Sequence, residues 1–447
     1  MTKASKTLSA ALQKAGSRVA AFPLPEDNGT LLPKWEELPA WYDKIRTLIE
    51  NQSILSASVV KEGGIAAAVA KMAFGNRLGV RLEKTMRDPL TLFAPVSGSL
   101  VVELAADAGL PAEAFLVGTV TEAPEIVLDD ATLPLDDLAA AWDSTLEKVF
   151  PTQEKAVPLS EEIPLYGERS AKAPSVHLGA AARPRVFIPV FPGTNTEYDT
   201  ARAFEAAGAD PQILVVRNLS PEGIEETIGR MEQMIRQSQI IMLPGGFSGG
   251  DEPDGSGKFI ATTFRNPRIS EAVAGLLEKR DGLMLGICNG FQALIKLGLV
   301  PYGRITEPAA NAPTLTFNTL GRHVSHMAYT RVTSVKSPWF SGVQAGDVFA
   351  VPVSHGEGRF VADGRTMKQL IANGQIATQY VTPEGIPSGE IPWNPNGSVC
   401  AVEGITSPDG RILGKMGHSE RKGSHLYKNV PFEKDQRIFE SGVAYFR

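Results

Sequence analysis

Strand-like and helix-like segments alternate between residues 185 and 300, and this alternation restricts the possible folds more than any other feature of the sequence. Apolar runs such as "RVFIPVF", "PQILVVRNL", "SQIIMLPGG" and "GLMLGI" are separated by helical patterns such as "TEYDTARAFEAAG" and "PEGIEETIGRMEQMIRQ". The alternation predicts an α/β domain whose mainly parallel sheet is flanked by helices. Functional residues in such sheets lie beyond the carboxyl ends of the strands. The loops "PGTN", "PGGFSGGD" and "CNG" all fall there.

The length of 447 residues indicates two or three domains. Residues 1–150 mix amphipathic helices, as in "PKWEELPAWYDKIRTLIE" and "GGIAAAVAKMAF", with strands such as "SGSLVVELA" and "FLVGTVTEA". Residues 151–184 are proline-rich and lack periodicity, which predicts a linker. Residues 185–447 then form the α/β domain.

The N-terminal segment "MTKASKTLSAALQKAGSRVAAF" is basic and free of acidic residues, as some organelle transit peptides are. Leu8, Leu12 and Val19 recur roughly on one helical face, so we interpret it as a surface helix instead.

Charge and cysteine content exclude several classes of protein. The net charge is −6, from 44 basic and 50 acidic residues, which argues against a nucleic-acid partner. Two cysteines without a CxxC spacing provide neither a disulfide framework nor a structural zinc site, so we expect a cytoplasmic protein. No apolar run has the length that a membrane span needs.

Cys288 lies in "GLMLGICNGFQ", where an apolar strand becomes a helix. The G-x-C-x-G spacing is the cysteine analogue of the nucleophile elbow, in which flanking glycines permit a sharp, strained turn. The amino end of the following helix would favour a thiolate. The alternative is that Cys288 is a small buried hydrophobic residue, as most free cysteines are.

A cysteine nucleophile needs a histidine base that a third group orients. His418, in "KMGHSER", has Glu420 two residues later, on the same side of an extended chain. His355, in "SHGEGRF", also has a glutamate at that spacing, so spacing alone does not separate the two. The glycine-rich segment "LPGGFSGGDEPDGSG" could supply oxyanion donors, or it could be a linker or a phosphate-binding loop. It lacks the hydroxyl residue after Lys258 that a Walker motif requires.

These segments carry a resemblance to a known family. "LPGGFSGGD", "LGICNGFQ" and "MGHSER" resemble the triad class of glutamine amidotransferase domains. "FPGTNTEYDTARAFEAAG", "PVSHGEGRF" and "NPNGS" narrow the resemblance to the phosphoribosylformylglycinamidine synthase family of purine biosynthesis. "SKTLSAALQKAG" and "VVKEGGIAAAVAKMAFGNRLGVRLE" resemble the C-terminal half of that family's second synthetase module, which is similar to aminoimidazole ribonucleotide synthetase.

The resemblance implies a role for each matching residue. It makes Cys288 the nucleophile, His418 the base and Glu420 the residue that orients it. The residues that match the oxyanion and glutamine-binding region of the family are Gly246, Phe247, Asn289, Gln292 and His355. Glutamine hydrolysis would need no cofactor or metal ion. The ammonia would reach a synthetase that uses ATP and Mg²⁺ to convert formylglycinamide ribonucleotide into the amidine.

The sequence also departs from the family. "VVKEGG" stands where relatives often have an aspartate-rich motif, and Thr196 stands where many have cysteine. The front half of the module is missing, so we expect a separate subunit, a gene fragment or an expressed piece that is a glutaminase only, with an apolar face that the missing half would cover. The partner would be the remaining synthetase part, on the same polypeptide or another. Two alternatives stay open: a non-catalytic or regulatory docking subunit, and another cysteine hydrolase on a similar scaffold.

Overall fold

The computed structural model describes residues 7–27, 30, 32–151, 154–169, 183–247, 257–307 and 309–447. The chain divides into two compact units, Met1–Thr152 (unit 1) and Gln153–Arg447 (unit 2). No helix in the described ranges is long and apolar enough to cross a membrane.

Unit 1 contains one seven-stranded sheet in the order β2-β4-β1-β5-β3-β6-β7, in which only the β3–β6 pair is parallel. Its strands are β1 (Arg18–Phe22), β2 (Ile54–Val59), β3 (Gly79–Leu82), β4 (Leu100–Leu104), β5 (Phe115–Thr121), β6 (Glu125–Leu128) and β7 (Ala131–Pro134). Its helices are α1 (Leu38–Glu50), α2 (Gly64–Asn76), α3 (Pro89–Phe93) and α4 (Leu135–Glu147).

The prediction of a helix at the N-terminus is wrong for the described residues. Residues 7–17 form no helix, and β1 begins at Arg18. The carboxylate of Glu103, on β4, accepts hydrogen bonds from the backbone N–H groups of Gln13 (2.7 Å) and Lys14 (2.9 Å), and Leu12 is fully buried. These tertiary contacts satisfy the backbone better than a surface helix would. Residues 1–6 of that segment lie outside the described residues.

An apolar cavity of about 480 Å³ lies in unit 1. Helices α2, α3 and α4 and the β6–β7 hairpin contribute its lining, which is almost wholly apolar; the larger side chains are Leu82, Met86, Leu92, Phe93, Ile126, Leu128, Leu133 and Leu138. Several of these side chains remain exposed, including Phe93 and Leu133. This is the kind of apolar surface that the sequence predicts for residues 1–150.

Unit 2 is built on a nine-stranded sheet in the order β14-β13-β16-β17-β18-β11-β10-β8-β9. Its strands, together with the separate β12–β15 pair, are β8 (Arg185–Val190), β9 (Asp210–Val215), β10 (Ile240–Leu243), β11 (Leu283–Ile287), β12 (Thr314–Thr316), β13 (Val324–Val332), β14 (Val348–His355), β15 (Arg359–Val361), β16 (Ile376–Tyr380), β17 (Val402–Thr406) and β18 (Ile412–Lys415). Its helices are α5 (Glu197–Ala206), α6 (Pro221–Gln237), α7 (Lys258–Phe264), α8 (Pro267–Ala274), α9 (Asn289–Leu297), α10 (Leu299–Tyr302), α11 (Gly364–Ala372) and α12 (Ile438–Ala444).

Five neighbouring strands of this sheet, β9, β8, β10, β11 and β18, are parallel to one another, which confirms the predicted α/β class. An antiparallel group, β17, β16, β13 and β14, extends the sheet beyond β18. Helix α9 packs on β10, β11 and β18 at the centre of the parallel part. The carboxyl ends of β11 and β18 therefore lie side by side. In the predicted linker, the described residues 154–169 contain neither helix nor strand.

Candidate active site

Cys288 connects β11 to α9 in a strained backbone conformation, with φ 52° and ψ −107°. The glycines on either side are sterically required. A Cβ on Gly286 would come within 2.6 Å of Leu294 Cδ1, and a Cβ on Gly290 would lie 2.0 Å from the carbonyl oxygen of Leu243. The chain can therefore turn sharply at Cys288 because the residues two positions before and after it, Gly286 and Gly290, carry no side chain. The Cys288 Sγ lies 3.6 Å from the carbonyl oxygen of Ser354.

His418 and Glu420 form a buried pair just beyond β18. The His418 Nδ1 and Glu420 Oε1 atoms are 2.6 Å apart, and both side chains are at most 1% exposed. Burial alone would lower the pKa of His418, but the Glu420 carboxylate and the Cys288 thiol outweigh it and raise the pKa to about 9. Burial would raise the pKa of Glu420, and His418 reverses this, so that the net pKa is below its ordinary value. Nε2 of His418 is buried and has no hydrogen-bond partner of good geometry among the described residues.

His355 ends β14 and is 1% exposed, and neither ring nitrogen has a hydrogen-bond partner in the described part of the chain. Burial, together with the neighbouring His418 and His323, lowers its pKa to about 3. The imidazole is therefore neutral at physiological pH and a weak base. This electrostatic difference separates the two histidines that sequence spacing leaves equivalent.

The loops after β8 and β10 meet as predicted, as far as they are described. Gly246 forms a bridge with Thr194 at a φ of 133°, and the Phe247 N–H donates to the carbonyl of Gly193 over 2.8 Å. The Phe247 amide is therefore already occupied, and its ring lies 5.9 Å from that of His323. Residues 248–256, most of the predicted glycine-rich oxyanion loop, lie outside the described residues.

Asn289 and Gln292 lie on the first turn of α9, and both are buried. Gln292 accepts from the Asn289 Nδ2 (3.0 Å) and donates from its Nε2 to the carbonyl of Glu357 (2.5 Å). The Gln292 side chain thus braces the "HGEG" loop in this structure. No group of three His, Cys, Asp or Glu residues in the described parts of the chain is arranged to hold a metal ion.

Sequence reasoning gave no site role to several residues around the site. Thr196 is buried, and its hydroxyl accepts from the Gly245 N–H (2.8 Å); a Cβ on Gly245 would come within 2.7 Å of His418 Cε1. The Asn318 side chain donates to the carbonyl of His355 (2.9 Å). Lys415, a charged residue at the end of the apolar run "RILGK", is fully buried, and its backbone carbonyl accepts from the Cys288 N–H. A lysine in an otherwise apolar strand is the one signal that could have revealed it.

The comparisons with known proteins match unit 2. Residues 183–446 match the model of the CobB/CobQ-like glutamine amidotransferase domain. The PurQ subunit of phosphoribosylformylglycinamidine synthase from Methanococcus maripaludis is 36% identical over 281 residues, which are 59% of this chain and 97% of that protein. The corresponding subunit from Treponema denticola is 35% identical over 287 residues, covering 59% of this chain and 99% of its own length.

Among solved structures, the PurLQS structure from Thermotoga maritima matches at 24% identity with a TM-score of 0.43, covering 60% of this chain and 100% of that one. The family model spans more than half of the chain, and the PurQ subunits align over almost their whole length. This confirms the family that the motifs in residues 185–447 predict. The chain belongs to the CobB/CobQ-like glutamine amidotransferase family, and within it to the glutaminases of the PurQ type of phosphoribosylformylglycinamidine synthase.

Proposed function

We propose that Cys288, His418 and Glu420 form the triad with which this chain hydrolyses the side-chain amide of glutamine. The observation that carries the proposal is the buried His418–Glu420 pair beside a cysteine that two glycines hold in a strained turn. Nothing else in the described site combines a nucleophile with an oriented base. The neutral His355, with a pKa of about 3, is a far weaker base than His418.

The reaction follows from these positions. The Cys288 sulfur attacks the carboxamide carbon, and the oxygen of the tetrahedral intermediate takes the negative charge. The amides of Gly246 and of Asn289, at the amino end of α9, are the oxyanion donors that we assign, since the Phe247 amide is bound to Gly193. His418 gives its Nε2 proton to the departing ammonia, which leaves a glutamyl thioester. His418 then takes a proton from water, which attacks the thioester and releases glutamate.

A PurQ-type glutaminase supplies ammonia to phosphoribosylformylglycinamidine synthase in purine biosynthesis. We propose that the ammonia from Cys288 serves a synthetase on the same polypeptide or on a separate subunit, and that the chain acts in the cytoplasm. The hydrolysis needs no cofactor, whereas ATP and Mg²⁺ belong to the complete synthetase. We assign unit 1 to the C-terminal half of a synthetase module; the supporting feature is the segment from "VVKEGG" to "RLE".

Labelling with a glutamine-directed alkylating analogue tests the triad. We expect the reagent to modify Cys288 and to spare Cys400, which is an internal control because it is equally buried and lies 3.3 Å from the Ser160 hydroxyl. Labelling of Cys400 alone would contradict the proposal. Glutamate release should also be measured with and without a synthetase partner. Its absence in both cases, with an unlabelled Cys288, would favour the non-catalytic docking subunit instead.

A further inference from the structure

Two fully buried charges lie beside the triad but do not belong to it. Lys415 Nζ, on β18, lies 3.1 Å from Glu403 Oε1, on the neighbouring β17, and both side chains are 0% exposed. Burying an ion pair costs so much solvation free energy that it stabilises a fold poorly compared with apolar residues of the same size. Such a pair therefore calls for an explanation beyond stability.

The hydrogen bonds of this pair converge on the residues that flank His418. Glu403 Oε1 accepts from the Gly417 N–H over 2.6 Å. Lys415 Nζ donates to the Gly417 carbonyl (2.7 Å) and to the Ser419 hydroxyl (3.0 Å). Both backbone polar groups of the residue before His418, and the side chain of the residue after it, are thus bound to the ion pair.

The same lysine also contacts the nucleophile. Its backbone carbonyl accepts from the Cys288 N–H over 2.8 Å, next to the parallel pairing of Ile287 with Lys415. Lys415 therefore joins the backbone of Cys288 to the turn that carries His418. The Ser419 hydroxyl continues the network, because it donates to Gln436 Oε1 (2.7 Å). Gln436 in turn donates to the Thr330 hydroxyl on β13 (3.2 Å).

We propose that Lys415 and Glu403 are positioning residues, which hold the His418 ring in register with Cys288 for proton transfer. The inference rests on the proposed triad and deepens it. Neither residue is placed as a reacting group, since their charged atoms bind each other, Gly417 and Ser419. They act by fixing the backbone of Gly417 and the side chain of Ser419. This positioning matters because a misplacement of a catalytic group by about 1 Å costs about a hundredfold in rate.

The test uses a double variant, Lys415→Met with Glu403→Gln, in the full chain. Removing one charge alone would leave the other buried without a partner, which is strongly destabilising. The double variant removes both charges and keeps the side-chain lengths, so the fold is expected to survive. Ser419→Ala is a milder variant that removes only one acceptor of Lys415.

We expect the double variant to lower kcat about a hundredfold and to leave KM unchanged. Here kcat is calculated per active site, from the fraction of chains whose Cys288 the glutamine analogue labels. Ser419→Ala should lower kcat by a smaller factor. The alkaline limb of kcat should also move to lower pH in the double variant, because the imidazolium of His418 gains less from Glu420 when its ring is held loosely. Among the described residues, Glu420 and Cys288 act on His418, and His418 acts on His355, on which His323 and His326 also act. Arg421 acts on Glu420, and Tyr380 interacts with Cys288 and Glu403, the partner of Lys415.

The matched control is the pair Arg411–Asp281. Arg411 precedes β18 and Asp281 precedes β11, so the pair lies at the amino ends of these strands, away from His418 and Cys288. Its charged atoms are 3.6 Å apart, and the side chains are 15% and 10% exposed. Arg411→Met with Asp281→Asn should lower the Tm without changing kcat per active site or the pH dependence. If the Lys415/Glu403 variant behaves like this control, the positioning role is wrong. If the wild-type chain itself is not labelled at Cys288, the triad proposal fails first.

Discussion

The two buried histidines near Cys288 differ in charge although their sequence contexts are alike. Glu420 stabilises the imidazolium of His418, whose pKa rises to about 9, whereas burial keeps His355 neutral with a pKa of about 3. We expect His418→Ala to lower kcat on the order of a thousandfold or more. His355→Gln, which leaves the His418–Glu420 pair intact, should cost much less. Steady-state glutaminase assays would measure both, and the reverse order would refute the assignment of the base.

The His418–Glu420 pair also makes stability depend on pH. The pKa of His418 rises from 6.5 to about 9 on folding, so its contribution is complete below pH 6.5 and is lost as the pH rises through 9. The pKa of Glu420 falls on folding from 4.5, so its contribution is complete above pH 4.5 and is lost on acidification through the lower folded value. We therefore expect the difference in Tm between wild type and Glu420→Gln to be largest between pH 4.5 and 6.5 and to shrink towards pH 10. A Tm difference that is constant over this range would contradict the charge assignment.

At the scale of elements, β4 holds the N-terminal segment of unit 1 through one carboxylate. Besides the two backbone N–H groups, the fully buried Glu103 accepts from the hydroxyls of Ser17 (2.6 Å) and Ser56 (2.8 Å). The Glu103→Gln variant replaces a carboxylate, which only accepts hydrogen bonds, by an amide. The NH2 group of this amide would face N–H and O–H groups that are themselves donors. We expect it to cost about 3 kcal/mol of unfolding free energy, measured by urea denaturation.

The control for this prediction is Glu113→Gln, which removes a half-exposed partner of Lys44 on the same unit. It should leave the urea midpoint almost unchanged, because exposed ion pairs contribute little. Equal midpoints for the Glu103 and Glu113 variants would show that the N-terminal segment does not depend on the buried carboxylate.

The sequence predicted those elements whose periodicity or turn chemistry is local. The helix α6, the strands β8 to β11 and the elbow at Cys288 all follow from apolar spacing and glycines. The N-terminal helix failed because Leu12 and Glu103 meet across the sheet, a contact that no local pattern encodes. Apolar spacing along α6 also predicts a buried Ile224, and the structure differs. Ile224 shares the helical face of Ile228 and Met231, yet it is 45% exposed because it lies on the first turn of α6.

The same distinction holds at the site. Cys288, His418 and Glu420 carry their signal in neighbouring residues, so the motifs could propose them, although spacing alone did not separate His418 from His355. Lys415 and Glu403 are twelve positions apart and become partners only when β17 and β18 pair. The neutral state of His355 depends on burial by distant segments, which spacing cannot express.

At the scale of the whole molecule, the apolar cavity of unit 1 should bind apolar probes. An anilinonaphthalene sulfonate dye should gain fluorescence with the native chain, because an exposed apolar pocket of this size can bury its rings. Leu133→Lys, at the rim of the cavity, should reduce the signal. Leu219→Lys should not, since Leu219 is an exposed residue of unit 2 outside the cavity lining. If the fluorescence of the dye does not rise with the native chain, the pocket is not accessible to it.

The insertion of β18 beside β11 has a consequence for synthesis of the chain. The ribosome makes Cys288 long before His418, and the strands of the antiparallel group, β13 to β17, emerge in between. His418 can therefore reach Cys288 only after β18 has been translated and has docked beside β11. If the two residues act as we propose, a nascent chain carries the cysteine without its base, and glutamine hydrolysis begins only once β18 is in place.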